Sequence, residues 1–338
     1  MTRIFTDGGE MGDTSFWDDA TNVTCGTAAP APFVSAYRYQ LAAVVGSTFK
    51  SFTALSECYF RERVRVAALN TSQRFARFRT GVTAVAWLSL DATFHWQVSA
   101  TTIGVLETSA VVMAIDTWYL VEIYFKEANA PDGRFVVYVD GNKVIDYTGD
   151  TQPAAATTFD NVNFEAGAGA GQQLYLDDLA LNDTAGAVDK SYCGDGIVVK
   201  VEPDGNGTHN NWHGSDGNDV DNYLLCNEIP KDDDTTYVYH DNTAATQQQF
   251  AMSHLSFTGY TILRLYAEAR ARKTAATAMT LKLGQLAAGG ADVVSAGRAL
   301  YIGAYTRVVG DDSFVNPVDG NPWEEADIDA IEFVAQVT

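Results

Sequence analysis

The sequence predicts an all-β protein: two tandem antiparallel β-sandwiches of jelly-roll type with very little helix. Three observations predict it. Apolar side chains recur at every second position, turns rich in Gly, Asp, Asn and Pro separate the runs, and almost no stretch shows a 3.6-residue period. The 338 residues suit roughly two domains at about 150 residues each. With 46% hydrophobic residues, among them 17 Phe, 16 Tyr and 6 Trp, each domain can fill a core. A charged fraction of only 19% argues against disorder.

Taken in order, the segment Glu57–Val66 places Cys58, Phe60, Val64 and Val66 on one face and Arg61, Arg63 and Arg65 on the other. Residues 118–126 and 135–140 are two further strands, rich in the aromatic and β-branched side chains that suit a pleated surface. Between them, Asn129-Ala130-Pro131-Asp132-Gly133 is a turn in which Pro fixes φ and Gly accepts a positive one. Asp140-Gly141-Asn142 signals a hairpin into residues 143–147, and residues 174–181 close the first half. A Gly/Asp-rich passage follows. Strand signals resume at 197–201, 236–239, 263–271, 279–283 and Glu332–Val337, with one short helical pattern at 323–331. The expected division is therefore a first domain at 1–182, a linker at 183–196 and a second domain at 197–338.

Charge narrows the function classes. Lys and Arg total 22 against 43 Asp and Glu, a net charge of −21. Non-specific nucleic-acid binding needs a basic face to displace counterions, so nucleic acid is not an expected partner. No run approaches the roughly 20 apolar residues of a membrane span, and the first residues lack a secretory pattern. Cys25, Cys58, Cys193 and Cys226 form no CxxC pair and are expected to be free, buried thiols.

The first half resembles the laminin-G-like or concanavalin A-like jelly roll. The resemblance rests on Trp118-Tyr119-Leu120-Val121-Glu122-Ile123, on residues 133–141 ending Tyr138-Val139-Asp140-Gly141, and on Leu174-Tyr175-Leu176-Asp177-Asp178-Leu179. It covers residues 3–182 and implies that the opening residues 3–8 pair beside the last strand. The second half resembles a β-domain of tailed-bacteriophage virion proteins. That likeness rests on Trp212-His213-Gly214-Ser215-Asp216-Gly217, on Asp232-Asp233-Asp234-Thr235-Thr236-Tyr237 and on residues 316–328.

Candidate chemistry is sparse. The jelly-roll resemblance raises retaining glycoside hydrolysis, which needs two carboxylates about 5 Å apart. Only Glu325-Ala326-Asp327-Ile328-Asp329, with Glu332 beyond, has a similar string, and it lies in the second half with helical spacing. No catalytic residue is assigned, and the protein is expected not to be an enzyme. No cofactor is expected. Calcium is the ion the acidic loops suit, with Asp177, Asp178, Asp216, Asn218, Asp219 and Asp221 as candidate ligands. The same loop residues also read as Asx-turns on solvated loops. His209 and His213 lie four apart, but the surrounding Gly and Asn residues indicate a loop. The runs 166–171 and 284–290 are glycine-rich without the strand–glycine–helix setting of a phosphate loop.

Arg61, Arg63, Arg65, Arg74, Arg77 and Arg79 are either a solvent face paired with acids across strands or an interface for an acidic neighbour. Trp87, Trp96, Trp118 and Tyr119 are either core anchors or a sugar-stacking platform. Together with the resemblance, these features imply a virion structural protein assembled in the bacterial host cytoplasm: a capsid decoration, fibre or tail-tip component. Its expected partners are other virion proteins and copies of itself in a homo-oligomer, with host-surface glycans as further ligands. A lectin-like, carbohydrate-binding adhesin is the alternative, and a polysaccharide hydrolase comes third.

Overall fold

A computed structural model describes residues 3–28, 30–33, 36–42, 46–69, 73–152, 158–167, 173–185, 188–241 and 247–338. The chain divides into two compact units, Met1–Val199 and Lys200–Thr338. Strand makes up 49% and helix 3%, so the expected all-β class holds. No helix among the described residues is long and apolar enough to cross a membrane.

Unit 1 opens with β1 (Arg3–Asp7), β2 (Asp19–Thr21), β3 (Val23–Gly26), β4 (Arg38–Leu41) and β5 (Ser47–Leu55). Next come β6 (Glu57–Val66), β7 (Arg74–Thr80), β8 (Thr83–Leu90), β9 (His95–Ala100) and β10 (Gly104–Val112). It ends with β11 (Tyr119–Lys126), β12 (Gly133–Val139), β13 (Asn142–Gly149), β14 (Phe159–Glu165) and β15 (Leu174–Asn182). The first sheet runs β13-β12-β11-β6-β15-β4-β3, with β1 also paired to β15; the second runs β10-β9-β8-β7-β14-β5-β2. Both are antiparallel, and the β1–β15 pairing is the one the opening residues implied.

The period-two pattern decides what lies between the sheets. Phe60, Ile123, Phe125, Phe135 and Val137 from the first sheet meet Phe75, Phe78, Leu88, Val162 and Phe164 from the second in one buried core. Phe78 stacks on Phe125 at 4.7 Å, and Phe60 lies 5.9 Å from Phe164, so aromatic contacts bridge the layers. At the β12–β13 hairpin Asp140 (φ 49°) and Gly141 (φ 76°) form the two-residue loop that the sequence announces.

Unit 2 contains β16 (Pro203–Asn210), β17 (His213–Gly214), β18 (Val238–Tyr239), β19 (Gln247–Met252) and β20 (Glu268–Ala271). It continues with β21 (Thr280–Leu286), β22 (Val293–Val294), β23 (Arg298–Ala299), β24 (Thr306–Val309), α1 (Glu325–Ile328) and β25 (Glu332–Val337). One sheet runs β16-β19-β25-β21-β22 with β23 on β21; β17–β18 and β20–β24 are separate ladders. Leu281, Leu283, Ala335 and Val337 pack with Trp212 and Val308. Gly284 has no room for a side chain, because a Cβ would fall 1.9 Å from the Val293 carbonyl oxygen across the β21–β22 pair.

Several expected elements are shorter or absent. Residues 197–201 form no strand, since the Val198 N–H donates to Asp178 Oδ1 (2.7 Å) instead of joining a ladder. Within 263–271 only β20 enters a ladder, and Leu265 makes a single bridge to Ser313. The helical pattern at 323–331 contracts to α1, opened by a reciprocal cap between Glu324 and Asp327. The described part of 183–196, read as a linker, lies on the outer face of the first sheet. There Tyr192 packs at 4.9 Å against Tyr59 and at 5.1 Å against Tyr138. Residues 168–171 of the glycine-rich run lie outside the described residues. All four cysteines are free thiols, and burial pushes each thiol pKa up, that of Cys226 to about 12.

Candidate functional site

The arginines on the two outer faces of unit 1 have different surroundings. On the first sheet, Arg61 and Arg63 alternate with the core residues Phe60 and Val64 and so point outward, yet both are buried. Arg61 donates Nε to the Asp178 carbonyl (2.9 Å) and Nη1 to the Gly194 carbonyl (3.1 Å). Arg63 Nε lies 3.2 Å from Asp178 Oδ2, its Nη2 is bonded to Asp195, and its guanidinium covers the Phe33 ring at 3.5 Å. Arg65 pairs with Asp116 at 2.9 Å. Here the paired-arginine alternative applies, with partners from β15 (Asp178), from the β10–β11 connection (Asp116) and from the segment crossing the sheet (Gly194 and Asp195).

Asp177 and Asp178, candidate calcium ligands by sequence, are the centre of that network. β15 bulges between Asp177 and Ala180, and Asp178 has φ 48°, a left-handed conformation that Asp tolerates better than most residues. Asp177 Oδ2 accepts the Phe33 N–H (3.0 Å) and its Oδ1 the Asp178 N–H (2.9 Å). Burial and the neighbouring Asp178 push the Asp177 pKa well above the usual carboxylate range. Burial likewise raises that of Asp178, against the pull of the Val198 N–H, Arg61 and Arg63. Their oxygens thus hold backbone N–H groups and an arginine.

In unit 2 Asp216 and Asn218 form Asx-turns. Asp216 Oδ1 accepts the Asn218 N–H and Asn218 Oδ1 the Val220 N–H, each at 2.9 Å. Asp219 takes the Gly214 N–H (3.0 Å) and His213 Nδ1 (2.8 Å), and this contact raises the His213 pKa. Asp221 precedes a 3₁₀ turn at Asn222–Leu225 without capping it through its side chain. Among the described residues, no group of three or more His, Cys, Asp or Glu side chains is placed to hold a metal. The carboxylates at 325–332 serve backbone groups: Glu325 accepts the Gly259 N–H, Asp329 the Leu255 N–H and Glu332 the Thr208 N–H. Asp233 and Asp234 pair with Arg270 and Arg272.

The outer face of the second sheet differs. Val162 and Phe164 are core residues, so Asn161, Asn163 and Glu165 point outward; by the same alternation so do Arg77 and Arg79 on β7, Trp87 and Ser89 on β8, and Gln97 and Ser99 on β9. Cross-strand register aligns Asn163 with Arg77 and Phe49, and Arg77 with Trp87, making a continuous row over four strands. Arg74 lies over the Trp87 ring at 5.5 Å, and Arg77 pairs with Glu165. Asn163 Nδ2 donates to the Thr48 carbonyl (2.9 Å) and Asn161 Nδ2 to the Gly81 carbonyl (2.9 Å). The amide oxygens of Asn161 and Asn163 and the Nε groups of Arg77 and Arg79 are buried without a hydrogen-bond partner. These atoms lie beneath the surface of the face, which presents the outer parts of the arginines and the Trp87 indole.

Of the aromatic candidates, only Trp87 joins this face. Trp96 is in the core, Tyr119 packs against the core, and Trp118 donates Nε1 to the Ala31 carbonyl (3.3 Å). Asn161 and Asn163 went unpredicted, although the alternation Asn161-Val162-Asn163-Phe164 carried the signal.

No protein-family model matches the chain, and no curated protein matches it. Among solved structures, an endo-β-1,4-glucuronan lyase from the fungus Trichoderma reesei is similar, with 13% identity and a TM-score of 0.44 over 57% of this chain and 100% of that one. The alginate lyase Aly36B has 16% identity and a TM-score of 0.35 over 54% of this chain and 93% of that one. The binding domain of Paraclostridial Mosquitocidal Protein 1 has 12% identity and a TM-score of 0.40 over 55% of this chain and 50% of that one. The similar structures are thus carbohydrate-active proteins and a binding domain. The expectation that the protein is not an enzyme is corrected by this finding, since the similar structures include polysaccharide lyases. At these identities the likeness concerns the fold and gives no residue of this chain a catalytic role.

Proposed function

We propose that unit 1 binds carbohydrate chains across the outer face of its second sheet. The observation that carries this reading is the outward row of Asn163, Arg77 and Trp87 on adjacent strands, with Arg74 over the indole. A sugar ring offers hydroxyls that both donate and accept, together with an apolar C–H face. Guanidinium groups donate to the hydroxyls, and an indole stacks on the C–H face. Titration calorimetry of the whole chain against soluble polysaccharides is expected to show binding. Trp87→Ala and Asn163→Ala are each expected to weaken it about tenfold, or about 1.4 kcal/mol, with the circular dichroism unchanged. Absence of binding to every polysaccharide, or full affinity in both variants, overturns the reading.

A second reading, assembly into a virion with other structural proteins or further copies, draws on unit 2. The neighbouring Tyr301 and Ile302 are 64% and 57% exposed, an adjacent apolar pair that burial against another chain would cover. Under this reading, mass photometry of the full chain shows multimers that the double variant Tyr301→Ser, Ile302→Ser reduces to monomer. A monomeric parent at micromolar concentration argues against it.

A further inference from the structure

We infer that the Arg79 end of this face is a subsite for an acidic sugar, with the sugar's carboxylate or sulfate group on the Arg79 guanidinium; the inference rests on the carbohydrate reading above. A cleft of about 340 Å3, within the size range of small-ligand sites, is lined by Phe49, Ser51, Phe52, Arg79, Gly81, Val82, Asp160 and Asn161. Its charge pattern is unusual for a chain with 43 acidic residues and a net charge of −21. Arg63, Arg65, Arg77, Arg134, Arg270 and Arg307 each have a carboxylate within ion-pair distance. Arg79 has none among the described residues. Its guanidinium lies 5.8 Å from the Phe49 ring, and its Nε is buried without a hydrogen-bond partner.

Asp160 lines the same cleft, but its Oδ1 accepts the Gly81 N–H (2.8 Å) and Asn161 Nδ2 (2.8 Å) instead of Arg79. The second observation is Asn161: only 3% exposed, with its Oδ1 unpartnered. The cleft therefore combines a planar donor fork with the apolar walls of Phe49, Phe52 and Val82. A guanidinium fork matches the paired oxygens of a carboxylate or sulfate, and the phenyl rings take the C–H face. A neutral sugar leaves the Arg79 charge uncompensated, so the subsite favours an anionic ring.

The test compares the whole chain with polygalacturonate, its carboxyl-reduced form, dextran sulfate and dextran by affinity electrophoresis. At least tenfold tighter binding of one anionic polymer than of its neutral counterpart is expected, and which pair shows the preference identifies carboxylate or sulfate. Because an ionic contact is screened, the preference should fall between 50 and about 500 mM salt. Arg79→Gln should abolish the preference while leaving the weaker neutral binding, and Arg79→Lys should restore only part of it. Equal affinity for charged and neutral counterparts, or a preference untouched in Arg79→Gln, overturns the inference while the carbohydrate reading stands. Failure of all four polymers and of a wider glycan panel overturns both.

Discussion

Replacing Asp178 with alanine should destabilise unit 1 by about 3–5 kcal/mol, the usual cost of breaking a buried ion pair from one side. The carboxylate is fully buried 3.2 Å from Arg63 Nε, and it also accepts the Val198 N–H. The variant leaves Arg63 with only the exposed Asp195 as a charge partner, removes the Val198 acceptor and puts a Cβ-bearing residue without a polar side chain at φ 48°. Asp178→Asn separates these causes, since it keeps the acceptor and tolerates the left-handed conformation. Its loss should be about half that of alanine. Urea unfolding of the full chain, followed through the transition of unit 1, measures both. A loss below about 1 kcal/mol for alanine would show that the network contributes little.

The second large effect is a gain. Glu62 sits in β6 between Phe60 and Val64, fully buried, and neither carboxyl oxygen has a hydrogen-bond partner. Burial pushes its pKa well above the carboxylate range. Above the unfolded chain's pKa of about 4.3, the folded protein therefore holds a proton that the unfolded chain releases. The folded state binds more protons in this window, so stability falls as pH rises, by about 1.4 kcal/mol per unit. The penalty grows from about pH 4.3 upward until the folded-state carboxyl itself ionises. Glu127, buried with its pKa raised by desolvation to about 7, acts in the same direction up to that pH. Glu62→Gln should leave stability at pH 4 nearly unchanged and raise it progressively at higher pH, by up to about 1.4 kcal/mol per unit. Parallel stability–pH curves for parent and variant from pH 5 to 8 would show that Glu62 is ionised or solvated in the folded state.

Much of the scaffold was legible because alternation is a local property. Glu57–Val66, the run around Trp118 and the Asp140-Gly141 loop each carry their geometry within ten residues or fewer. The strand expected at 197–201 failed because its donor found a side chain on β15, a partner that no local pattern reveals. β14 passed unread because Asn is a poor strand former, although Val162 and Phe164 supply the alternation. The site was less legible for the same reason. Two sets of alternating arginines look alike in sequence, yet Arg63 meets Asp178 and Asp195 more than a hundred positions later, while Arg79 meets no acid among the described residues. Pairing is a tertiary fact, and it distinguishes a structural arginine from one available to a ligand.

The ties made by Arg61 and Arg63 also determine where the first unit can be cut. A fragment stopped at Asn182, where the last strand finishes, would lose the Gly194 carbonyl and Asp195 together. Two guanidinium groups would be left half-dressed, and the ring of Tyr192 would no longer cover Tyr59 and Tyr138. Such a fragment would be sticky and poorly behaved, whereas one carried through to Val199 keeps its own cover.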